Sequence, residues 1–321
     1  MNNGFKVIGG SSSKILTEDV CDILSYNTKK KIKPVKTLLS KFANGESLVE
    51  IHENLRGLDV FVVQLFSKSV NDDLMELMLL LDALKRSDVK SINLILPMYP
   101  YARQDRKSKS RTPISSRTVA SMLEIYNIDR LITIDLHASQ IQGFFNLPVD
   151  NLYGSILFLP YMKQFTNDIT IISPDSGGTQ RATYFAKALD CSMSFCYKHR
   201  NVNKPGKIEE MRLVGNVEGK DCLIVDDLCD SGGTLIKCAN MLKENGAVSV
   251  NVFFTHPVLS GNAIDNLTNS KIDGIFTTDT LPLTEELMNN NKFNIISVAS
   301  LLSDVITRLI EGKSLSKMFE I

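Results

Sequence analysis

Apolar runs of strand length recur along the chain at 60–65, 92–96, 131–134, 169–172, 223–225, 250–254 and 295–298. Several are rich in Val and Ile, the pattern of strands buried on both faces. Helical periodicity fills the intervals. Over 73–86 it places Leu74, Leu77, Met78, Leu81 and Leu84 on one face, with Asn71 or Asp72 as cap. A second helix is predicted over 114–126, entered through Pro113, and a third over 234–245, stopped by Gly246. Strands alternating with helices predict an α/β fold of mainly parallel sheets flanked by helices.

The length, 321 residues, sets a prior of two domains at roughly 150 residues each. The junction is predicted near 148–161, with no low-complexity linker to mark it. Lys and Arg number 36 against 36 Asp and Glu, so no global field favours nucleic acid or an anionic membrane. No apolar run approaches the roughly 18–20 residues a membrane span needs, and the N-terminus lacks an apolar signal region. The expected location is cytoplasmic. Cysteines at 21, 191, 196, 222, 229 and 238 form no CxxC pair, which argues against a disulfide framework or structural zinc. Cys222, inside a strand-like run, reads as a core residue.

The densest chemistry lies at Leu223-Ile224-Val225-Asp226-Asp227-Leu228-Cys229-Asp230-Ser231-Gly232-Gly233-Thr234, which runs into a helix. A buried parallel strand delivers two acids to its C-terminal edge, where α/β proteins bind ligands. Gly232 and Gly233 let backbone amides approach an anion, and Ser231 and Thr234 add hydroxyls. The helix N-terminus favours a phosphate monoester. Carboxylates beside a phosphate suit the vicinal hydroxyls of a sugar, or a hydrated Mg²⁺. Together these parts describe a cradle for a ribose 5-phosphate, where an ordinary capped turn would need neither paired acids nor paired glycines.

That segment resembles the phosphoribosyl-diphosphate motif of the type I phosphoribosyltransferase fold. Further motifs occur in one order: Lys41–Glu46 (KFANGE), Asn71–Leu77 (NDDLMEL), Tyr101–Arg106 (YARQDR), Asp135-Leu136-His137, Gln140–Phe145 (QIQGFF), Ser173-Pro174-Asp175 and Thr255-His256-Pro257. The series is similar to the ribose-phosphate pyrophosphokinase family from about Phe42 to Phe319. The resemblance implies two related phosphoribosyltransferase-like domains, 1–150 with the ATP motifs and 151–300 with the ribose-phosphate loop. A C-terminal helix and tail, 301–321, is expected to pack on the first.

The resemblance further implies transfer of the β,γ-diphosphoryl group of ATP to the C1 hydroxyl of ribose 5-phosphate, releasing AMP. Asp226, Asp227, Asp230, Ser231, Gly232, Gly233 and Thr234 would hold the ribose phosphate. Arg103, Gln104 and Asp105 would serve ATP, as would Phe42, Asn44, Gly45 and Glu46 on a hairpin that reaches a neighbouring subunit. His137 and Asp175 match Mg²⁺ positions, a donor set that suits an ion bound mainly through phosphates and water. For His137 a hydrogen-bonded supporting role stays open, since Mg²⁺ prefers oxygen. Lys198 and Arg200 match a catalytic pair on a loop, read over 198–207, that closes over the transferring group. His52 and His256 read as structural or peripheral. A homo-oligomer is implied, a hexamer built from dimers, with neither nucleic acid nor membrane as partner.

The chain departs from the family pattern at several points. Asn44 stands where Asp is usual, Ser231 where Thr is usual, and Tyr197 and His199 flank Lys198 in place of Asp and Arg. Met98-Tyr99-Pro100 replaces Tyr-Phe-Gly, and Leu65-Phe66 replaces Ser-Thr. These departures keep other readings open. The acceptor could be another free-anomeric ribose such as ADP-ribose. The loop alone also serves phosphoribosyltransferases, and a non-catalytic regulatory subunit would share the fold.

Overall fold

A computed structural model describes residues 4–199 and 210–318. In chain order the first elements are β1 (Phe5–Gly9), α1 (Lys14–Thr28), β2 (Thr37–Lys41), β3 (Ser47–Ile51), β4 (Asp59–Val63), α2 (Val70–Arg86), β5 (Ser91–Ile95), α3 (Ser115–Glu124), β6 (Arg130–Ile134) and β7 (Val149–Leu152). They are followed by α4 (Ser155–Met162), β8 (Ile169–Ser173), α5 (Thr179–Leu189), β9 (Ser192–His199), β10 (Glu210–Val214), β11 (Asp221–Cys229) and α6 (Gly233–Glu244). The remainder is β12 (Ser249–Pro257), α7 (Ala263–Thr268), β13 (Gly274–Thr278), α8 (Glu285–Met288), β14 (Phe293–Ile296) and α9 (Ala299–Ile310). All seven apolar runs fall on strands. The fold is α/β.

The chain divides into two units. One takes its described residues from Met1–Tyr153, Thr280–Pro282 and Ser297–Glu320; the other from Gly154–Asp279 and Leu283–Ile296. In the first unit the sheet order is β1-β4-β5-β6-β7, parallel throughout, and β2 and β3 form a separate antiparallel hairpin. α9 belongs to this unit and packs on α1, where the Ser303 hydroxyl donates to the carbonyl of Val20 at 3.2 Å. Leu302, Val305 and Ile306 of α9 are fully buried. Each such side chain is worth about 1.5–3 kcal/mol of transfer free energy.

In the second unit the order is β10-β9-β8-β11-β12-β13-β14, with only the β10–β9 pair antiparallel among the described strands. Side chains alternate across β11. Cys222 and Ile224 join the core under α6, whereas Leu223 and Val225 join the core under α4 and α5. Cys222 is fully buried, as its setting predicts. From β8 the chain adds β9 on one side and then returns to add β11 on the other. The sheet therefore has a switch point between β8 and β11, the place where open α/β sheets form a ligand crevice.

Several expected boundaries move. α2 begins at Val70 with Ser69 at its N-cap, not at Asn71 or Asp72. The reason lies in Asp73, which is buried and accepts from the Ser67 amide (2.6 Å), the Ser67 hydroxyl (2.7 Å) and the Ser12 hydroxyl (2.6 Å). This carboxylate fixes the chain ahead of the helix in place of a side-chain cap. α3 is shorter than the 114–126 expectation because Ile114 is its non-helical N-cap residue. β11 outruns the 223–225 run in both directions and carries both acids within the strand. Lys198, expected on a loop, lies on β9, where its backbone pairs with Met211 of β10. Arg200 and the rest of the expected loop, 200–207, lie outside the described residues.

Candidate active site

In the second unit, the pairing of β11 with β8 ends at Ile224, but its pairing with β12 continues to Cys229. Asp226 and Asp227 therefore sit in a strand whose β8-facing edge has just become free, at the switch point. Asp227 is buried, and its amide donates to Oδ1 of Asp226 at 2.9 Å. Burial pushes the Asp226 carboxyl well above the usual carboxylate range, and the neighbouring Asp227 adds to the rise. Arg181 opposes it. From the first turn of α5, its Nη1 stands 3.4 Å from Oδ1 of Asp226 and 3.5 Å from Oδ1 of Asp227.

Arg181 is the residue that motif reading misses. Its one local signal is its place, since a cation in the first turn of a helix opposes the helix dipole. Such a placement is explained by the two carboxylates it meets.

Beyond β11, the loop Asp230–Gly233 turns into α6. Gly232 is the N-cap of α6, with φ +75°, a left-handed conformation open to glycine at no steric cost. A Cβ there would stand 3.0 Å from Cγ of Leu267. Among the described residues, the backbone amides of Ser231, Gly233 and Thr234 have no hydrogen-bond partner, nor do the hydroxyls of Ser231 and Thr234. The first turn of α6 contains no acid. Three amides and two hydroxyls at a helix start, with no carboxylate in that first turn, form an anion cradle.

Asp175 follows β8 on the same edge of this unit. Its Oδ1 accepts from the amides of Gly177 (2.9 Å) and Gly178 (3.1 Å), and its side chain is exposed. These two bonds orient the carboxylate.

In the first unit, Arg103, Gln104 and Asp105 follow β5, and His137 follows β6, its neighbour in the sheet. Gln104 is held firmly. Its amide donates to the carbonyl of Tyr101 at 2.9 Å, its carbonyl accepts from the Ser116 amide at 3.2 Å, and its Oε1 accepts from the Ser115 hydroxyl at 2.6 Å. Arg103 is exposed. Gln140 Nε2 donates to Asp105 at 3.3 Å and so ties this loop to the segment carrying His137. That segment leaves β6 through Asp135, a buried residue at φ +43°. The strained turn lifts His137 to an exposed position.

The hairpin of β2 and β3 carries Phe42, Asn44, Gly45 and Glu46 at its tip. The Gly45 amide donates to the carbonyl of Phe42 and the Phe42 amide to that of Glu46, each at 2.8 Å. Gly45 has φ +90°, and Oδ1 of Asn44 accepts from the Glu46 amide at 3.2 Å. The turn is built locally and Phe42 is left 53 % exposed. Lys41 anchors the hairpin to α2 through Asp72 at 2.5 Å.

His52 is exposed beside Glu50 and His256 is buried, neither among the predicted site residues. Among the described residues, no group of three or more His, Cys, Asp or Glu side chains converges to hold a metal. A Mg²⁺ here would take most of its ligands from phosphate and water, which a lone oriented carboxylate such as Asp175 fits.

Residues 5–126 match the N-terminal domain of ribose phosphate pyrophosphokinase, and residues 197–320 match the phosphoribosyl synthetase-associated domain. The chain is 42% identical to ribose-phosphate pyrophosphokinase 1 of Streptococcus mutans, over 99% of this chain and 98% of that protein. It is 44% identical to the ribose-phosphate pyrophosphokinase of Burkholderia pseudomallei, over 99% and 98%. Among solved structures, the phosphoribosylpyrophosphate synthetase from Mycobacterium smegmatis superposes with a TM-score of 0.89 at 36% identity, covering 97% of this chain and all of that one. With similarity of this extent along its whole length, the chain belongs to the ribose-phosphate pyrophosphokinase family.

Proposed function

We propose that the protein transfers the β,γ-diphosphoryl group of ATP to the C1 hydroxyl of ribose 5-phosphate, giving phosphoribosyl diphosphate and AMP. The observation that carries this reading is the pairing of a buried diacid with a free-amide loop on one strand–helix unit. The loop amides and hydroxyls of Ser231, Gly233 and Thr234 suit the 5-phosphate. Asp226 and Asp227, held by Arg181, suit the ribose hydroxyls as acceptors. This orients the sugar with C1 directed away from the phosphate loop.

In the reaction the C1 oxygen attacks the β-phosphorus, the bond from that phosphorus to the α,β-bridging oxygen breaks, and AMP leaves. The hydroxyl proton is released. Arg103 and the fixed Gln104 would bind ATP phosphates, with Phe42 stacking on adenine and Asn44 or Glu46 meeting its amino group. Lys198 and Arg200 would stabilise the charge that develops as the diphosphoryl group passes, the dominant requirement in phosphoryl transfer. His137 in the first unit and Asp175 in the second would each offer a ligand for Mg²⁺, which would supply charge neutralisation of the ATP phosphates. A homo-oligomer, a hexamer built from dimers, would let each hairpin serve a neighbour.

Phosphorus NMR of the protein with Mg²⁺, ATP and ribose 5-phosphate tests the reading. A diphosphate on C1 together with AMP is expected. ADP as the sole nucleotide product, or product only when ADP-ribose replaces ribose 5-phosphate, would overturn it.

A further inference from the structure

Gly232, the left-handed N-cap of α6, is packed from the side by α7. A Cβ built on Gly232 would stand 3.0, 3.2 and 3.4 Å from Cγ, Cδ2 and Cδ1 of Leu267, so three carbons of one side chain lie against this glycine. Leu267 is fully buried and belongs to the core that also holds Leu235 of α6. The entry to the cradle is held differently. The amides of Leu259 and Ser260 donate to the carbonyls of Cys229 (2.9 Å) and Asp230 (3.1 Å), so two backbone bonds hold the chain ahead of Ser231. Beyond them, the turn at Gly232 meets Leu267.

α7 is too short to hold Leu267 in place by itself. It has six residues, and isolated helices below about 12–15 residues are marginal in water. Its end is clamped by Lys292, which lies just before β14. The Lys292 ammonium donates to the carbonyls of Leu267 at 3.0 Å, Thr268 at 2.8 Å and Ser270 at 2.9 Å. All three of its protons are spent on the end of α7, where a cation also complements the helix dipole. Asn290 completes the clamp. Its Nδ2 donates to the Thr268 hydroxyl at 2.8 Å, and its Oδ1 accepts from the Lys292 amide at 3.0 Å.

This is a demanding place for a lysine. Burial pulls its ammonium below the ordinary lysine range, and Asp273 works against that fall. Asp273 is itself engaged by the Lys243 ammonium at 2.7 Å and the Val250 amide at 2.7 Å. A cation spent on three backbone carbonyls fixes geometry more than it offsets charge.

We infer that Lys292 is a positioning residue for the sugar phosphate: by holding the end of α7 it sets Leu267 against Gly232, and so fixes the turn that presents the amides of Ser231, Gly233 and Thr234. The inference rests on the function proposed for that loop.

Two readouts on the full-length protein test it. Hydrogen exchange without substrates reports on the turn itself, through the Ile236 amide, which donates to the carbonyl of Gly232 at 3.0 Å. Steady-state kinetics with each substrate varied reports on its use. Lys292→Met keeps the apolar stem and removes the three donors. It is expected to speed exchange at Ile236 while β8 stays unchanged. KM for ribose 5-phosphate should rise about tenfold, short of the roughly 100-fold that a displacement of about 1 Å can cost, with kcat and KM for ATP within about twofold. Lys292→Arg, which keeps the charge, should restore most of the loss. Leu267→Val should raise the same KM, and the Lys292→Met/Leu267→Val variant should do no worse than the larger single effect, because residues that act through one contact do not add. If Lys292→Met does not fold, Lys292→Gln takes its place and is held to the same outcomes. Unchanged exchange at Ile236, an equal rise in both KM values, or effects that multiply in the double variant would overturn the inference. No AMP from the unsubstituted protein would overturn the proposed function instead, and exchange at Ile236 would then judge Lys292 alone.

Discussion

One guanidinium serves two carboxylates: Nη1 of Arg181 lies 3.4 Å from Asp226 and 3.5 Å from Asp227. Without it, two neighbouring acids would share a partly buried edge with less compensating charge, and the Asp226 carboxyl would hold a proton more readily. Arg181→Met should therefore lower kcat/KM for ribose 5-phosphate by about 10–100-fold, the range for lost charge-assisted hydrogen bonds. The sign of the pH effect follows from Arg181 holding the raised Asp226 carboxyl down. Its removal raises that carboxyl further, so the acid-side loss of ribose 5-phosphate binding should begin at higher pH. Stability responds to pH in the opposite sense. A carboxyl raised in the folded state contributes fully below its unfolded value of about 3.9, and the contribution is lost as pH rises through the folded value. A KM–pH profile identical to that of the unchanged protein would remove Arg181 from the site.

Gly232→Ala probes the cradle. The substitution forces a Cβ into a left-handed residue and against Leu267 at 3.0 Å. A cost of about 1–2 kcal/mol in stability is expected from the backbone alone. Calorimetric melting together with ribose 5-phosphate titration checks it, and weaker binding at temperatures well below the melt shows that loop geometry matters beyond folding.

Phe42→Ala separates binding from stability. Phe42 is 53 % exposed and its turn is held by backbone bonds, so melting should shift by no more than about 0.5 kcal/mol. KM for ATP should rise about tenfold if the ring stacks on adenine, since such stacking is worth about 1–3 kcal/mol. Steady-state kinetics with ATP varied at saturating ribose 5-phosphate measures it.

Lys198→Ala and Arg200→Ala should each reduce AMP formation by about 10²–10³-fold with little change in the melting temperature. Single-turnover assays with radiolabelled ATP would detect the loss in the chemical step.

The thiols should be slow to react in the folded protein. Burial pushes Cys21, Cys222 and Cys229 each up to about 12, which leaves roughly one thiolate in 10⁴ at pH 8. Cys196 and Cys238 are buried against each other with sulfurs 3.2 Å apart. A thiol-disulfide reagent at pH 8 should label at most the half-buried Cys191 rapidly and the others only after unfolding.

The parts of the site that were legible in the sequence are those built from contiguous residues. The strand, acids, glycines and helix of 221–244 form one local unit, and the hairpin tip at Phe42–Glu46 closes on its own backbone. What was hidden depends on residues distant in sequence. Arg181 meets Asp226 and Asp227 only after α5 packs beside β11. The start of α2 follows from Asp73 binding Ser12, which no cap rule contains. The true length of β11 is set by β12, its partner, and not by its own run of apolar side chains.

The bond from Ser303 to Val20 spans 283 residues of sequence inside a single unit. On a ribosome adding about 5–20 residues per second, α1 would wait on the order of 15–60 s for α9 to be made. Until then Leu16, Val20 and Leu24 lack part of their cover. The half of the chain that is synthesised first is thus completed last, and a transcript cut short before residue 299 would yield a first unit with an open apolar seam, a substrate for chaperones and proteases.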